Sequence, residues 1–203
     1  MYTLYDYLDS GNGYKVRLLL SQLQLSYRYV EADIMRGETR TKDFLQRNPN
    51  GRIPVLEIEP GVNLAESNAI LWYLAEGSAL APASRWARAQ TLQWMFFEQY
   101  SHEPYVATAR FIMRHLSADH PRREEVPRRQ EQGRAALAVM DMHLSRHPYF
   151  VDNRYGIADI ALYAYTHVAE EGGYDLSPYG HVLAWIRRVA SLPNYVGLQD
   201  RPA

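Results

Sequence analysis

The chain of 203 residues carries 22 basic and 23 acidic side chains, a net charge of -1, and no cysteine. Near-neutrality gives no broad electrostatic reason to bind nucleic acid. The lack of cysteine removes disulfides, thiolate metal sites and any protein-borne thiol nucleophile, so sulfur chemistry would have to arrive with a ligand.

Hydrophobic residues make up 47%, yet no run approaches the roughly eighteen consecutive apolar residues of a membrane span. The N-terminus, Met-Tyr-Thr-Leu-Tyr-Asp, lacks the basic and apolar regions of a signal peptide. The expectation is a globular, cytoplasmic protein that works without membrane or nucleic acid.

In chain order, Thr3 to Tyr7 predicts a strand, followed by the polar, glycine-flanked turn "LDSGNGYK". Val16, Leu19, Leu20 and Leu23 recur at helical spacing and predict an amphipathic helix over Gly13 to Gln24. Tyr27 to Glu31 predicts a second strand and Thr41 to Gln46 a short helix. Val55 to Ile58 and Gly61 to Leu64 form a hairpin around "EPG", and a helix runs from about Ser67 to Glu76. The order β-α-β-α-β-β-α predicts a small mixed sheet flanked by helices.

After "EGSALAPAS" the character changes, with long helical runs at 86–116, 122–146, 156–170 and 178–191. Met140 and Leu144, and Val182, Ile186 and Val189, mark buried stripes. Pro104 should kink or split the first run, and Pro127 should lie near the start of the second. The arginines between Arg122 and Arg134 are interleaved with Glu124, Glu125 and Glu131 and read as a solvated helix face. The organisation is α/β plus all-α, with residues 1–78 as the first domain and 85–203 as the second.

Three segments hold groups suited to chemistry. In "NPNGRIPVLE", Asn50-Gly51 makes a tight turn and Ile53-Pro54 enters a strand where proline cannot donate to the ladder. A cis Ile53-Pro54 bond would turn the peptide edge of Ile53 toward a ligand, whereas a trans bond would simply open the strand. In "AESNAILWYLAE", Glu66-Ser67 precedes a helix whose free N–H groups favour an anion. A ligand carboxylate could sit on Ser67 with its ammonium on Glu66, or Ser67 could be a plain N-cap. The "SGNGYK" turn does not have the spacing of a phosphate loop, since Lys15 is followed by Val16 rather than a hydroxyl residue. It holds either a thiolate or only its own backbone.

Together, the polar turn, N-P-N-G-x-I-P, E-S-N-A-I-L and an all-helical second half resemble a cytosolic glutathione transferase over essentially the whole chain. The resemblance implies a thioredoxin-like first domain, glutathione as co-substrate, no metal and a symmetric homodimer. It also implies a cis Pro54, with Ile53 facing the cysteinyl peptide and Glu66 and Ser67 holding the γ-glutamyl head. Thr39, Arg40 and Arg52 fall where phi-class and related bacterial members carry glutathione contacts.

S-G-N resembles the S-x-N of phi-class enzymes and the T-x-N of nu-class ones. Ser10 is therefore expected to donate to the thiolate, with Asn12 as helper or substitute. "RYGIADIALYAY" resembles the family's helix-capping element, with Gly156 in place of the usual serine or threonine and Asp159 able to bond back to the cap. A pocket for a small hydrophobic electrophile is expected between the halves, with Tyr100, Tyr105 and Phe111 as candidates. The alternative activities are glutathione-dependent reduction of disulfides or peroxides, or a non-catalytic binding or scaffolding role.

Overall fold

The computed structural model describes residues 1–202. The chain forms two compact units, Met1–Ala81 together with the segment from Pro193, and Pro82–Leu192.

The first unit has the expected element order: β1 (Tyr2–Asp6), α1 (Gly11–Gln22), β2 (Tyr27–Glu31), α2 (Lys42–Arg47), β3 (Val55–Glu59), β4 (Val62–Ala65) and α3 (Ser67–Ala75). One sheet runs in the order β2-β1-β3-β4. Strand β1 is parallel to β2 and antiparallel to β3, and β3 is antiparallel to β4. This is the thioredoxin-like mixed sheet that the resemblance implied.

Caps set where the helices begin. Ser10 and Thr41 keep extended backbones, and their hydroxyls accept from Gly13 N and Phe44 N, satisfying donors that a first helical turn leaves open. Helix α1 therefore starts at Gly11, earlier than the Gly13 indicated by its apolar spacing. Two other details concern burial. Thr3, Leu4 and Asp6 of β1 are buried, while Tyr5 and, just beyond the strand, Tyr7 are only half-buried. Helix α1 is also buried almost all round, with Lys15 and Arg17 as fully enclosed as Val16 and Leu18.

That enclosure arises because α1 packs on α3 and is strapped by the segment from Pro193. Ser21 Oγ donates to the Asn194 carbonyl at 2.9 Å, Tyr14 Oη to Val196 at 2.7 Å and Arg17 Nη1 to Leu198 at 2.8 Å. This segment, expected to continue the helical domain, belongs with the first unit.

In the second unit, α4 (Arg85–Phe97) passes through a π turn (Glu98–His102) into α5 (Glu103–His115), followed by α6 (Val126–Leu144), α7 (Ile157–Thr166) and α8 (Gly180–Ala190). The first long run is thus split, with Pro104 in the first turn of α5, where its missing N–H costs nothing. Every residue of α7 is buried, as expected of a helix that is apolar all round. Its start is held by Asp159, which accepts from Gly156 N at 3.1 Å, Phe150 N at 3.3 Å and Trp185 Nε1 at 2.9 Å. Trp185, Val182 and Val189 form the buried stripe of α8, and Ile186 is only half-buried.

The arginine-rich stretch forms ion pairs at its surface, with Glu125 bonded to Arg122 and Arg129, each at 2.9 Å. No described helix is long and apolar enough to cross a membrane.

Candidate active site

The turn after β1 is fixed by its backbone. Ser10 N donates to Tyr7 O at 2.8 Å, and Tyr14 N donates to Ser10 O at 2.9 Å. The Ser10 hydroxyl accepts from Gly13 N at 3.4 Å. Among the described residues no acceptor takes its own proton. The cap uses a lone pair and leaves the O–H available at the start of a helix, where both the donor and the dipole favour an anion.

Beneath this turn lies a buried ion pair that the sequence pattern did not single out. Arg17 Nε meets Asp6 Oδ2 at 3.0 Å, and Arg17 Nη2 donates to Leu8 O at 2.6 Å, tying the helix to the turn's first residues. Burial pushes the Asp6 carboxyl up to about 7, against the opposing pull of Arg17. Gly13 is required here, because a Cβ at that position would lie 1.5 Å from Asp6 Oδ1. On the same turn, Gln199 Nε2 donates to Asp9 Oδ1 at 2.6 Å.

Asn12 does not pair with Ser10. Its Oδ1 accepts from Ser67 Oγ at 3.2 Å, and Ser67 Oγ in turn accepts from Lys15 Nζ at 3.3 Å. These bonds bring the N-termini of α1 and α3 together, although 55 residues separate Asn12 from Ser67. Ser67 and Lys15 are both buried. Lys15 was conspicuous in the sequence only as a possible phosphate-loop lysine. Its helical position facing Ser67 is a tertiary fact.

Glu66 is exposed, precedes α3 with φ 68°, and makes no side-chain cap bond. A non-glycine residue in such a conformation costs on the order of 1–3 kcal/mol and is concentrated where backbone geometry serves a ligand. The Ile53-Pro54 bond is cis, as the resemblance implied. Among the described residues, neither the N–H nor the C=O of Ile53 has a hydrogen-bond partner. A free peptide edge, a free hydroxyl, a helix N-terminus and an exposed acid make a donor and acceptor set suited to a short peptide with a charged head.

The remaining sequence candidates are placed less directly. Thr39 is buried and Arg52 is exposed. Arg40 donates from Nη1 to Asn50 O at 3.1 Å and covers Gly51, where a Cβ would meet its guanidinium at 2.4 Å. Arg40 thus braces the turn before Ile53. Of the aromatic candidates, Tyr100 is 82% exposed on the π turn, while Tyr105 and Phe111 are half-buried on α5. Six residues apart, the last two point roughly 120° apart around the helix and share no stripe. The Tyr5 hydroxyl of β1 donates to Glu57 Oε2 at 3.0 Å, and its ring lies under the Arg47 guanidinium.

Residues 1–76 match the family model for the glutathione S-transferase N-terminal domain, and residues 94–193 match that for the glutathione S-transferase C-terminal domain. The chain is 30% identical to the disulfide-bond oxidoreductase YfcG of Escherichia coli (strain K12), over 92% of this chain and 89% of that protein. It superposes on the crystal structure of a glutathione S-transferase from Pseudomonas fluorescens [Pf-5] with a TM-score of 0.96 and 53% identity, covering 98% of this chain and 99% of that one. A glutathione transferase from Pseudomonas putida, crystallised with one glutathione disulfide bound per subunit, superposes with a TM-score of 0.82. It is 25% identical, over 95% of this chain and 88% of that chain.

Proposed function

The chain belongs to the glutathione S-transferase family, and from that premise we propose that it binds glutathione in its first unit and transfers the thiolate to a small hydrophobic electrophile. The observation that carries this reading is the Ser10 hydroxyl, which caps α1 through a lone pair and keeps its proton for a ligand.

A free thiol has a pKa of about 8.5 and is roughly 3% ionised at pH 7. A hydroxyl donor at a helix N-terminus that lowers it by about two units makes roughly three quarters of it nucleophilic. In this reading the thiolate attacks the electrophilic carbon, the carbon–leaving-group bond breaks, and the leaving group departs with its electron pair. Ser10 holds the sulfur, the peptide edge of Ile53 holds the cysteinyl residue, and Ser67 and Glu66 hold the γ-glutamyl carboxylate and ammonium. Thr39, Arg40 and Arg52 supply the side of the glycine end.

A second reading, reduction of disulfides or peroxides by glutathione alone, is supported by the disulfide-bond oxidoreductase among the relatives and needs no protein cysteine. The assembly fits a symmetric homodimer, because Leu92 and Phe96, four residues apart, share one side of α4 and are 39% and 67% exposed. Large apolar side chains clustered on one helix face mark a contact surface, and two-fold pairs dominate soluble oligomers.

Assays of the purified protein with glutathione against a halogenated aromatic, an organic peroxide and a mixed disulfide test both readings. Conjugation of the aromatic is expected. Reduction of the mixed disulfide without conjugation would favour the second reading, and inactivity on all three would remove both.

A further inference from the structure

Lys15 is a lysine with no exposed surface, and its Nζ donates to Ser67 Oγ at 3.3 Å. An ammonium has three donors and no acceptor, so Ser67 must receive that bond on a lone pair. Its own proton is thereby left for another acceptor, and it goes to Asn12 Oδ1 at 3.2 Å. Ser67 is preset as a donor, with a buried positive charge directly behind it.

We infer that Lys15 is a specificity-determining residue that makes the start of α3 select a carboxylate rather than a neutral amide at the γ-glutamyl end of the ligand. This rests on the proposed glutathione reading and adds to it a residue outside the contacts assigned above. Three features act in the same direction. The first-turn N–H groups of α3 have no partner within the helix. Ser67 offers its proton because Lys15 occupies its acceptor side. The ammonium is enclosed in protein, where its field is screened far less than at a surface.

A carboxylate arriving at Ser67 takes the hydroxyl proton in exchange for Asn12 and gains the attraction of Lys15. A carboxamide can take the hydrogen bond but gains little from the charge.

The test compares S-methylglutathione with its analogue in which the γ-glutamyl α-carboxylate is a carboxamide, by titration calorimetry. The S-methyl group keeps thiol ionisation out of the measurement. Wild type should prefer the acid strongly, since charge-assisted hydrogen bonds are about twice as strong as neutral ones. Lys15→Met, which removes donor and charge at similar volume, should lower that preference by about tenfold or more. It should do so by weakening the acid while leaving the amide nearly unchanged. Lys15→Gln keeps a donor without charge, should show the same loss of preference, and carries the test if Lys15→Met does not fold. Lys15→Arg should retain the preference. A structural role alone would weaken both ligands together and leave their ratio unmoved, and that result in a folded variant overturns the inference. Failure of wild type to bind S-methylglutathione at all would instead remove the glutathione reading and this inference with it.

Discussion

Replacing Ser10 with alanine isolates the thiolate donor. The cap bond to Gly13 N is long, at 3.4 Å, so losing it should cost only about 0.5 kcal/mol, the weak end of N-cap effects. The variant should therefore fold. Glutathione affinity should also remain close to wild type, since Ile53, Glu66 and Ser67 are proposed to hold the peptide. The thiol pKa is where the change should appear. Losing one charge-assisted hydrogen bond should raise it by roughly one to two units, from about 6.5 to about 7.5–8.5. The thiolate fraction at pH 7 would fall from about 76% to between about 24% and 3%. Turnover at pH 7 should thus drop about three- to twenty-five-fold and be largely restored near pH 9, where a thiol of pKa about 8.5 is again mostly ionised. A pH titration of thiolate absorbance in the complex reads the pKa directly. If that pKa is the same in wild type and Ser10→Ala, the Ser10 hydroxyl is a helix cap and nothing more. Asn12→Ala should shift it less, because Asn12 is bonded toward Ser67. The reverse ranking would refute the assignment of Ser10 as principal donor.

Ser67→Ala should weaken glutathione binding by about 1–3 kcal/mol in calorimetry, the worth of a charge-assisted hydrogen bond with a buried donor; unchanged affinity would remove the proposed head-group site. Sedimentation should give twice the 23.5 kDa chain mass, and Phe96→Asp should shift wild-type dimer toward monomer. An unaltered sedimentation coefficient in the variant would dissociate that face of α4 from assembly. Burial holds the His167 imidazole down at about 4 from its usual 6.5, with the ring stacked on Tyr163 at 4.5 Å. Between those values the unfolded chain takes up a proton that the folded chain refuses, so stability falls as pH drops through that window. Denaturant melts at pH 7 and pH 4.5 should show wild type losing on the order of 1–2 kcal/mol more than His167→Phe; equal losses would mean that His167 charges freely in the fold.

Period and punctuation determined much of this protein. The apolar spacing of Val16, Leu19 and Leu20, the β-rich run Tyr27–Glu31, the N-G turn before Ile53 and the hairpin around Pro60-Gly61 placed the strands and helices, because each is a local signal of backbone geometry. The motif order was specific enough to point to the family and, through it, to the cis bond at Pro54 and to Glu66-Ser67. The pattern failed where packing, not period, decides. Tyr5 and Tyr7 alternate like core residues, yet the enclosed partners of Leu4 in β1 are Thr3 and Asp6, because Asp6 meets Arg17 from α1 and fits only against the missing side chain of Gly13. Lys15 and Arg17 look like solvated positions of an amphipathic helix, yet two residues apart they lie on nearly opposite sides of it. Both are buried because α3 meets Lys15, while β1 and the segment from Pro193 meet Arg17, and each cation finds its partners there. Asn12 sits beside Ser10 in the chain but bonds Ser67 across the fold. Neighbours in sequence share a backbone, whereas the candidate site gathers side chains from two helix starts, and only the folded sheet fixes their distance.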